Sequence, residues 1–157
     1  MKSDFLVIGS GSAGLSFALK AAAKGTVTIV TKGELAECNT NYAQGGICSV
    51  TYQPDTFEKH IEDTLVCGAG KCDREAVELV VRNAPEAIAN LIEWGTRFDK
   101  NEAGEFDLHR EGGHSEHRIL HHADLPGAEI ERAPIESGHA HPNITVLEHH
   151  FAIDLLT

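Results

Sequence analysis

Positive charge is what this sequence is shortest of. Thirteen lysines and arginines stand against 24 aspartates and glutamates, for a formal net charge of −11. A surface that tracks phosphates needs the opposite balance, so neither nucleic acid nor an anionic membrane is expected as a partner. Long apolar runs are missing as well: no stretch approaches the roughly 18 residues that a membrane-spanning helix needs. The opening MKSDFLVIG reaches Gly9 before the apolar core of an export signal can form, and a cytoplasmic location is the resulting expectation. Cysteine is sparse. Cys38, Cys48, Cys67 and Cys72 include no C-x-x-C spacing, so free, reduced thiols are expected.

What is present suits an ordinary globular chain. The 157 residues are enough for about one domain, and 41% are hydrophobic against 24% charged. Phe5 to Ile8 is a short apolar run ending in glycine. From Ala13 to Lys24 the residues Leu15, Ala18, Leu19, Ala22 and Ala23 recur at helical spacing, and Gly25 supplies a stop. Thr26 to Thr31 is β-branched at almost every position and reads as a strand. Strand, glycine turn, helix and strand make a βαβ unit around a parallel pair.

Residues 33 to 53 follow as a long glycine-containing connection, a length that usually signals function. Asp55 with Glu58 predicts a capping box for a helix carrying Phe57, Ile61 and Leu65, ending near Gly68. Asp73 to Asn83 and Pro85 to Trp94 read as two further helices, with a polar turn from Lys100 to Asp107. Gly127 to Glu136 reads as partly helical, interrupted at Pro134. Ile144 to Leu147 and Phe151 to Leu156 read as strands, the last so near Thr157 that a chain cut short is expected.

Gly9-Ser10-Gly11-Ser12-Ala13-Gly14 is a G-x-G-x-x-G between a strand and a helix. The first glycine permits the tight turn, the second lets a pyrophosphate approach the backbone, and the third lets helix and strand pack closely. Dinucleotide binding is the functional reading; a turn that merely packs tightly is the bland one. The acid that usually follows the second strand to hold a ribose hydroxyl is replaced by Thr31 and Lys32. A lysine there suits a 2′-phosphate or another part of a cofactor, and local chemistry leaves both open.

The glycine motif, the run Asn39-Thr40-Asn41-Tyr42-Ala43-Gln44-Gly45-Gly46-Ile47 and the later Arg110-Glu111-Gly112-Gly113-His114-Ser115 together resemble one family. It is the flavoprotein superfamily of succinate dehydrogenase, fumarate reductase and L-aspartate oxidase, with the L-aspartate oxidase branch the nearest in pattern. The likeness continues through Glu62-Asp63-Thr64-Leu65, Gly68-Ala69-Gly70, Cys72-Asp73 and Arg118-Ile119-Leu120-His121. It implies an α/β, Rossmann-like FAD-binding domain with a parallel sheet over residues 1 to 157. Completion of the sheet, the capping domain and a C-terminal helical domain would lie outside this chain.

The same resemblance implies that Gly9, Ser10, Gly11, Ser12, Ala13 and Gly14 hold the pyrophosphate of FAD and that Lys32 contacts the cofactor. Asn39, Thr40, Asn41, Tyr42, Ala43, Gln44, Gly45 and Gly46 would wrap the flavin, with Gln44 within hydrogen-bonding reach of it. Members that attach FAD covalently carry a histidine at the position of Asn39; an amide cannot form that bond, so noncovalent FAD is expected. Dicarboxylate-specific members carry an aromatic residue where Glu111 stands, whereas a glutamate offers an ammonium group a charge-assisted hydrogen bond. Glu111 is thus the candidate that orients the substrate ammonium, and His114 in the same loop is a second candidate for the catalytic site.

The implied activity is oxidation of L-aspartate to iminoaspartate with oxygen or fumarate as acceptor. That reaction feeds quinolinate, and so NAD, synthesis, with a functional link to quinolinate synthase. The chain alone is expected to be an incomplete, inactive fragment. The alternatives are a soluble fumarate reductase or succinate dehydrogenase type flavoprotein, and a non-catalytic dinucleotide-binding fragment. His114, His117, His121 and His122 invite a metal reading. With no H-E-x-x-H, no cysteine nearby and other histidines scattered at His139, His141, His149 and His150, no metal is expected from them. Pro126, Pro134 and Gly138 make the segment Leu125 to His141 irregular where the family would have continuous helix.

Overall fold

The computed structural model describes residues 2–154. Its elements run β1 (Phe5–Ile8), α1 (Ser12–Ala22), β2 (Val27–Val30), β3 (Ile47–Cys48), α2 (Phe57–Cys67), α3 (Arg74–Glu93), β4 (Ile119–Leu120), α4 (Pro126–Ala140) and β5 (Ile144–Leu147). They fall into two compact units. Among described residues, 2–44, 94–96 and 127–154 form the first, and 45–93 with 97–126 form the second.

The first unit is the α/β layer expected from the sequence. β1, β2 and β5 form a parallel sheet in the order β1-β2-β5, with Phe5 opposite Val27 and Val27 opposite Ile144. Leu15, Ala18, Ala21 and Ala22 are the buried stripe of α1. Three of the four are alanine, and short side chains let the helix axis lie close to the strands. They meet Val7, Val27, Ile29 and Leu35, with Phe5, Ile135, Ile144 and Val146 packed around them. α1 ends two residues before the expected Lys24, because Lys24 and Gly25 both donate back to the Ala21 carbonyl and tighten the last turn.

The second unit pairs α2 with α3 and carries a small antiparallel pair, β3 with β4, in which Ile47 faces Leu120 and Cys48 faces Ile119. β3 lies inside the long connection of residues 33 to 53. Thr56, not Asp55, caps α2: its hydroxyl accepts from Lys59 N at 3.2 Å. Asp55 is withdrawn from that task by a buried arginine. Asp73 does start α3, accepting from Ala76 N at 3.1 Å.

Two proline-based boundaries are corrected. The helices expected at Asp73 to Asn83 and at Pro85 to Trp94 are one helix of 20 residues that contains Pro85. A proline removes one backbone bond and strains the turn before it, at about 3 kcal/mol. The apolar stripe Val81, Ile88 and Leu91 is buried on both sides of it, and each such side chain contributes about 1.5–3 kcal/mol. α4 likewise runs unbroken through Pro134, so the irregular segment is a continuous helix. Anchors on both sides of Pro134 hold it: Arg132 Nη2 donates to Gly95 O at 3.0 Å and Ser137 Oγ to Trp94 O at 2.9 Å. Of the strand expected over Phe151 to Leu156, residues 151–154 are not in a strand, and Leu155 and Leu156 lie outside the described residues.

Candidate functional site

The glycine turn sits at the carboxyl end of β1, where Gly9 N donates to Val30 O at 2.9 Å. Gly9 has φ of +104°, a conformation that a side chain resists, and a Cβ on Gly14 would fall onto the Gly9 carbonyl oxygen. The glycines thus serve the turn and the close packing of α1 on β1, as their spacing implied. Gly11 occupies the N-cap of α1 with no side-chain cap of its own, and Ser12 N donates instead to Thr40 Oγ1 at 3.2 Å. That bond ties residue 40 of the long connection to the start of the helix.

A cavity of about 520 Å³ opens over this turn. Gly9, Ser10, Gly11, Thr31, Lys32, Asn39 and Tyr42 line it, together with Glu37, Cys38, His150, Phe151 and Ala152. Its wall includes Gly11, the N-cap of α1, and the dipole of that helix favours a phosphate there. Lys32 is exposed at the rim. Ser10 and Thr31, both buried, share a hydroxyl contact of 3.2 Å. Tyr42 Oη donates to Glu37 Oε2 at 2.7 Å, and that carboxylate pushes the phenol pKa up. The donor set and the bare glycine backbone fit the pyrophosphate end of a dinucleotide.

The flanking loop is built from turns. Tyr42 N donates to Asn39 O and Ala43 N to Thr40 O, while Gly127 N at the start of α4 donates to Ala43 O at 3.1 Å. Behind it Glu131 is 1% exposed, and burial pushes its carboxyl pKa up while the neighbouring Cys38 thiol lowers it. Burial raises the Cys38 thiol as well. Ala13, Asn39, Ala43 and Gln44 are exposed, Ser12, Thr40 and Asn41 half-buried. Gly45 and Gly46 belong to the second unit.

Glu111 and His114 also belong to the second unit. Glu111 O accepts from His114 N at 3.1 Å, closing a turn over Gly112 and Gly113 in which Gly113 takes φ of +90°. Glu111 is thereby left exposed at the tip. His114 is half-buried; its Nε2 lies 3.8 Å from Cys48 Sγ and its ring meets His60 edge-on at 6.3 Å. Burial lowers the His60 pKa and the Arg118 charge adds to this, so a neutral imidazole is favoured there. Burial raises the Cys48 thiol, with Arg118 opposing and Glu111 adding to the rise.

Arg118 fixes the far end of this loop. Fully buried, it donates to both oxygens of Asp55 at 2.9 and 2.8 Å, and to Asp63 Oδ2 at 2.5 Å. Burial opposes its charge, but the bonds to Asp55 and Asp63 outweigh that and raise its pKa. Ser115 donates to Asp63 Oδ2 at 2.8 Å from both its N and its Oγ. Asp63 stays below the usual carboxylate range: burial works against this, and the Ser115 and Arg118 bonds overcome it. Sequence reading missed this network. Its only signal was two acids and an arginine widely separated in sequence, with Asp55 already explained as a cap.

The family model described as FAD binding domain matches residues 4–157. An L-aspartate oxidase of Nicotiana tabacum, chloroplastic by name, is 54% identical over 154 residues, covering 98% of this chain and 24% of its own. An L-aspartate oxidase of Vibrio cholerae is 48% identical over 159 residues, covering 98% and 30%. Among solved structures, the quinol fumarate reductase of E. coli superposes with a TM-score of 0.88 at 27% identity, over 96% of this chain and 26% of that one. The chain therefore spans 24–30% of the length of these relatives.

Proposed function

Since the chain belongs to the FAD binding domain family, we propose that it is the FAD-holding portion of an enzyme that oxidises L-aspartate to iminoaspartate. The observation that carries this reading is the glycine turn that leads into α1, with Gly9 and the N-cap Gly11 on the wall of a cavity also lined by Lys32 and Asn39. Backbone N–H groups of Ser10, Gly11 and Ala13 hold the pyrophosphate, with Ser12 N already committed to Thr40 Oγ1, and Lys32 supplies positive charge at the rim. FAD supplies the hydride-accepting group when bound. The loop of residues 39–46 lies against it, and Asn39, an amide, leaves the cofactor without a covalent bond to that position.

Glu111 meets the substrate ammonium with a charge-assisted hydrogen bond, and the turn through Gly113 presents it. His114, half-buried and held against Cys48, stands at the same site. A substrate lacking the ammonium leaves Glu111 unpaired, and this disfavours succinate. Oxygen or fumarate takes the electrons, and iminoaspartate is passed to quinolinate synthase. No helix among the described residues is long and apolar enough to cross a membrane. A cytoplasmic location is part of the proposal, and cell fractionation checks it against the plastid of the tobacco relative.

The test uses the full-length protein. In Glu111→Gln, kcat/KM for aspartate is expected to fall about 10- to 200-fold, the loss of one charged hydrogen bond, with turnover of succinate unchanged or raised. A variant that handles aspartate as well as the parent overturns the role of Glu111. Acid precipitation is expected to release the yellow colour into the supernatant; colour staying in the pellet overturns noncovalent binding.

A further inference from the structure

In the second unit, the backbone brings together three segments that sequence spacing keeps apart. Asp107 N donates to Asp99 O at 3.0 Å and Asp99 N to His121 O at 2.9 Å. His109 N donates to Ile119 O at 3.0 Å, and Ile119 N returns a bond to His109 O. Lys100 and Phe106 form one further bridge of the same antiparallel kind. Side chains carried on such a ladder hold their positions better than side chains on a tail.

We propose that Asp107, His109 and His121 form a binding site for a divalent transition-metal ion of the zinc class. Their three ligand atoms lie within 4.8 Å of one another. The two imidazoles stack with centroids 3.7 Å apart and planes inclined by 26°. His121 Nε2 is buried, has no hydrogen-bond partner among the described residues and stands 3.7 Å from Asp107 Oδ2. That separation is too long for a hydrogen bond, but it is close to the spacing of two ligands that each sit about 2.0–2.2 Å from one ion.

The other nitrogen of the same ring completes the pattern. His121 Nδ1 lies 3.2 Å from Asp99 Oδ2. A carboxylate there keeps the proton on Nδ1 and turns the Nε2 lone pair toward the cluster, as metal-binding histidines usually require. Two imidazoles and one carboxylate favour zinc and its first-row neighbours over magnesium or calcium, which prefer an all-oxygen shell. Asp107 and His109 are exposed, so water completes the coordination. His109 stands two residues before Glu111, so an ion here also fixes the bridged segment that leads into that loop.

Zinc chloride titrated calorimetrically into the purified full chain is expected to show one saturable site. A hundredfold excess of magnesium should leave it intact. Asp107→Asn and His109→Ala, both changes of exposed side chains, are expected to weaken zinc binding by about 10–100-fold or more. His139→Ala, an exposed histidine of α4, should leave it unchanged. The proposal is overturned if zinc fails to saturate, if magnesium displaces it equally, or if both variants bind zinc like the parent while keeping its circular dichroism.

Discussion

Arg118 holds its positive charge with no exposed surface, and the two acids that make this tolerable are Asp55 before α2 and Asp63 within it. An arginine buried in this way is more a requirement than a gain. The Coulomb attraction to Asp55 and Asp63 roughly offsets the cost of taking all three charges out of water. Removing one member strands the others. Arg118→Ala leaves the Asp55 carboxylate buried and unpaired, so a loss of about 3–5 kcal/mol in urea unfolding of the full chain is expected. Combining it with Asp55→Asn should recover part of that loss, and a double variant no more stable than the single one would count against the pairing. This also explains why residue-level reading went wrong at Asp55. Caps are recognised from spacing within a few residues, whereas the partner that claims Asp55 is 63 positions away. Gly9 and Gly14 were legible for the converse reason, since the turn and the close packing they serve involve near neighbours in sequence.

At the level of elements, the βαβ unit was readable because strand, turn and helix each declare themselves locally. The prolines were misread because a local penalty was taken as a boundary. Pro85 costs α3 one hydrogen bond, yet Val81, Ile88 and Leu91 lie on a single buried face across it. The unbroken helix keeps all three against the same neighbours, and a break would expose at least one. Pro85→Ala restores a backbone bond without disturbing that face. It should then raise the unfolding midpoint, with a gain of at most about 3 kcal/mol. A lowered midpoint would mean that the proline ring itself packs in a way alanine cannot replace. The metal-ligand cluster was hidden for a related reason. His109 and His121 look like members of an irregular histidine run, and only the antiparallel pairing of His109 with Ile119 brings them face to face.

For the molecule as a whole, the open side of the sheet is the feature with consequences. In the order β1-β2-β5, β1 is an edge strand, although it carries the glycine turn and its Val7 belongs to the core. Leu6 and Ile8, on the opposite face of the same strand, are 56% and 60% exposed. Parallel sheets are normally covered on both faces, and an open edge with apolar side chains beside it is a template for another strand. The relatives are three to four times longer than this chain, and an exposed edge and face are what additional chain would cover. The 157-residue chain by itself is therefore expected to self-associate through β1, seen as species above monomer mass in size-exclusion chromatography with light scattering. Leu6→Lys should shift it toward monomer, because a charge on the exposed face opposes stacking without touching Val7. In a protein of the relatives' length the same substitution should instead destabilise, since there Leu6 would be buried. A 157-residue chain that stays monomeric at high concentration, or a lysine variant equally harmless in both lengths, would mean that β1 needs no neighbour.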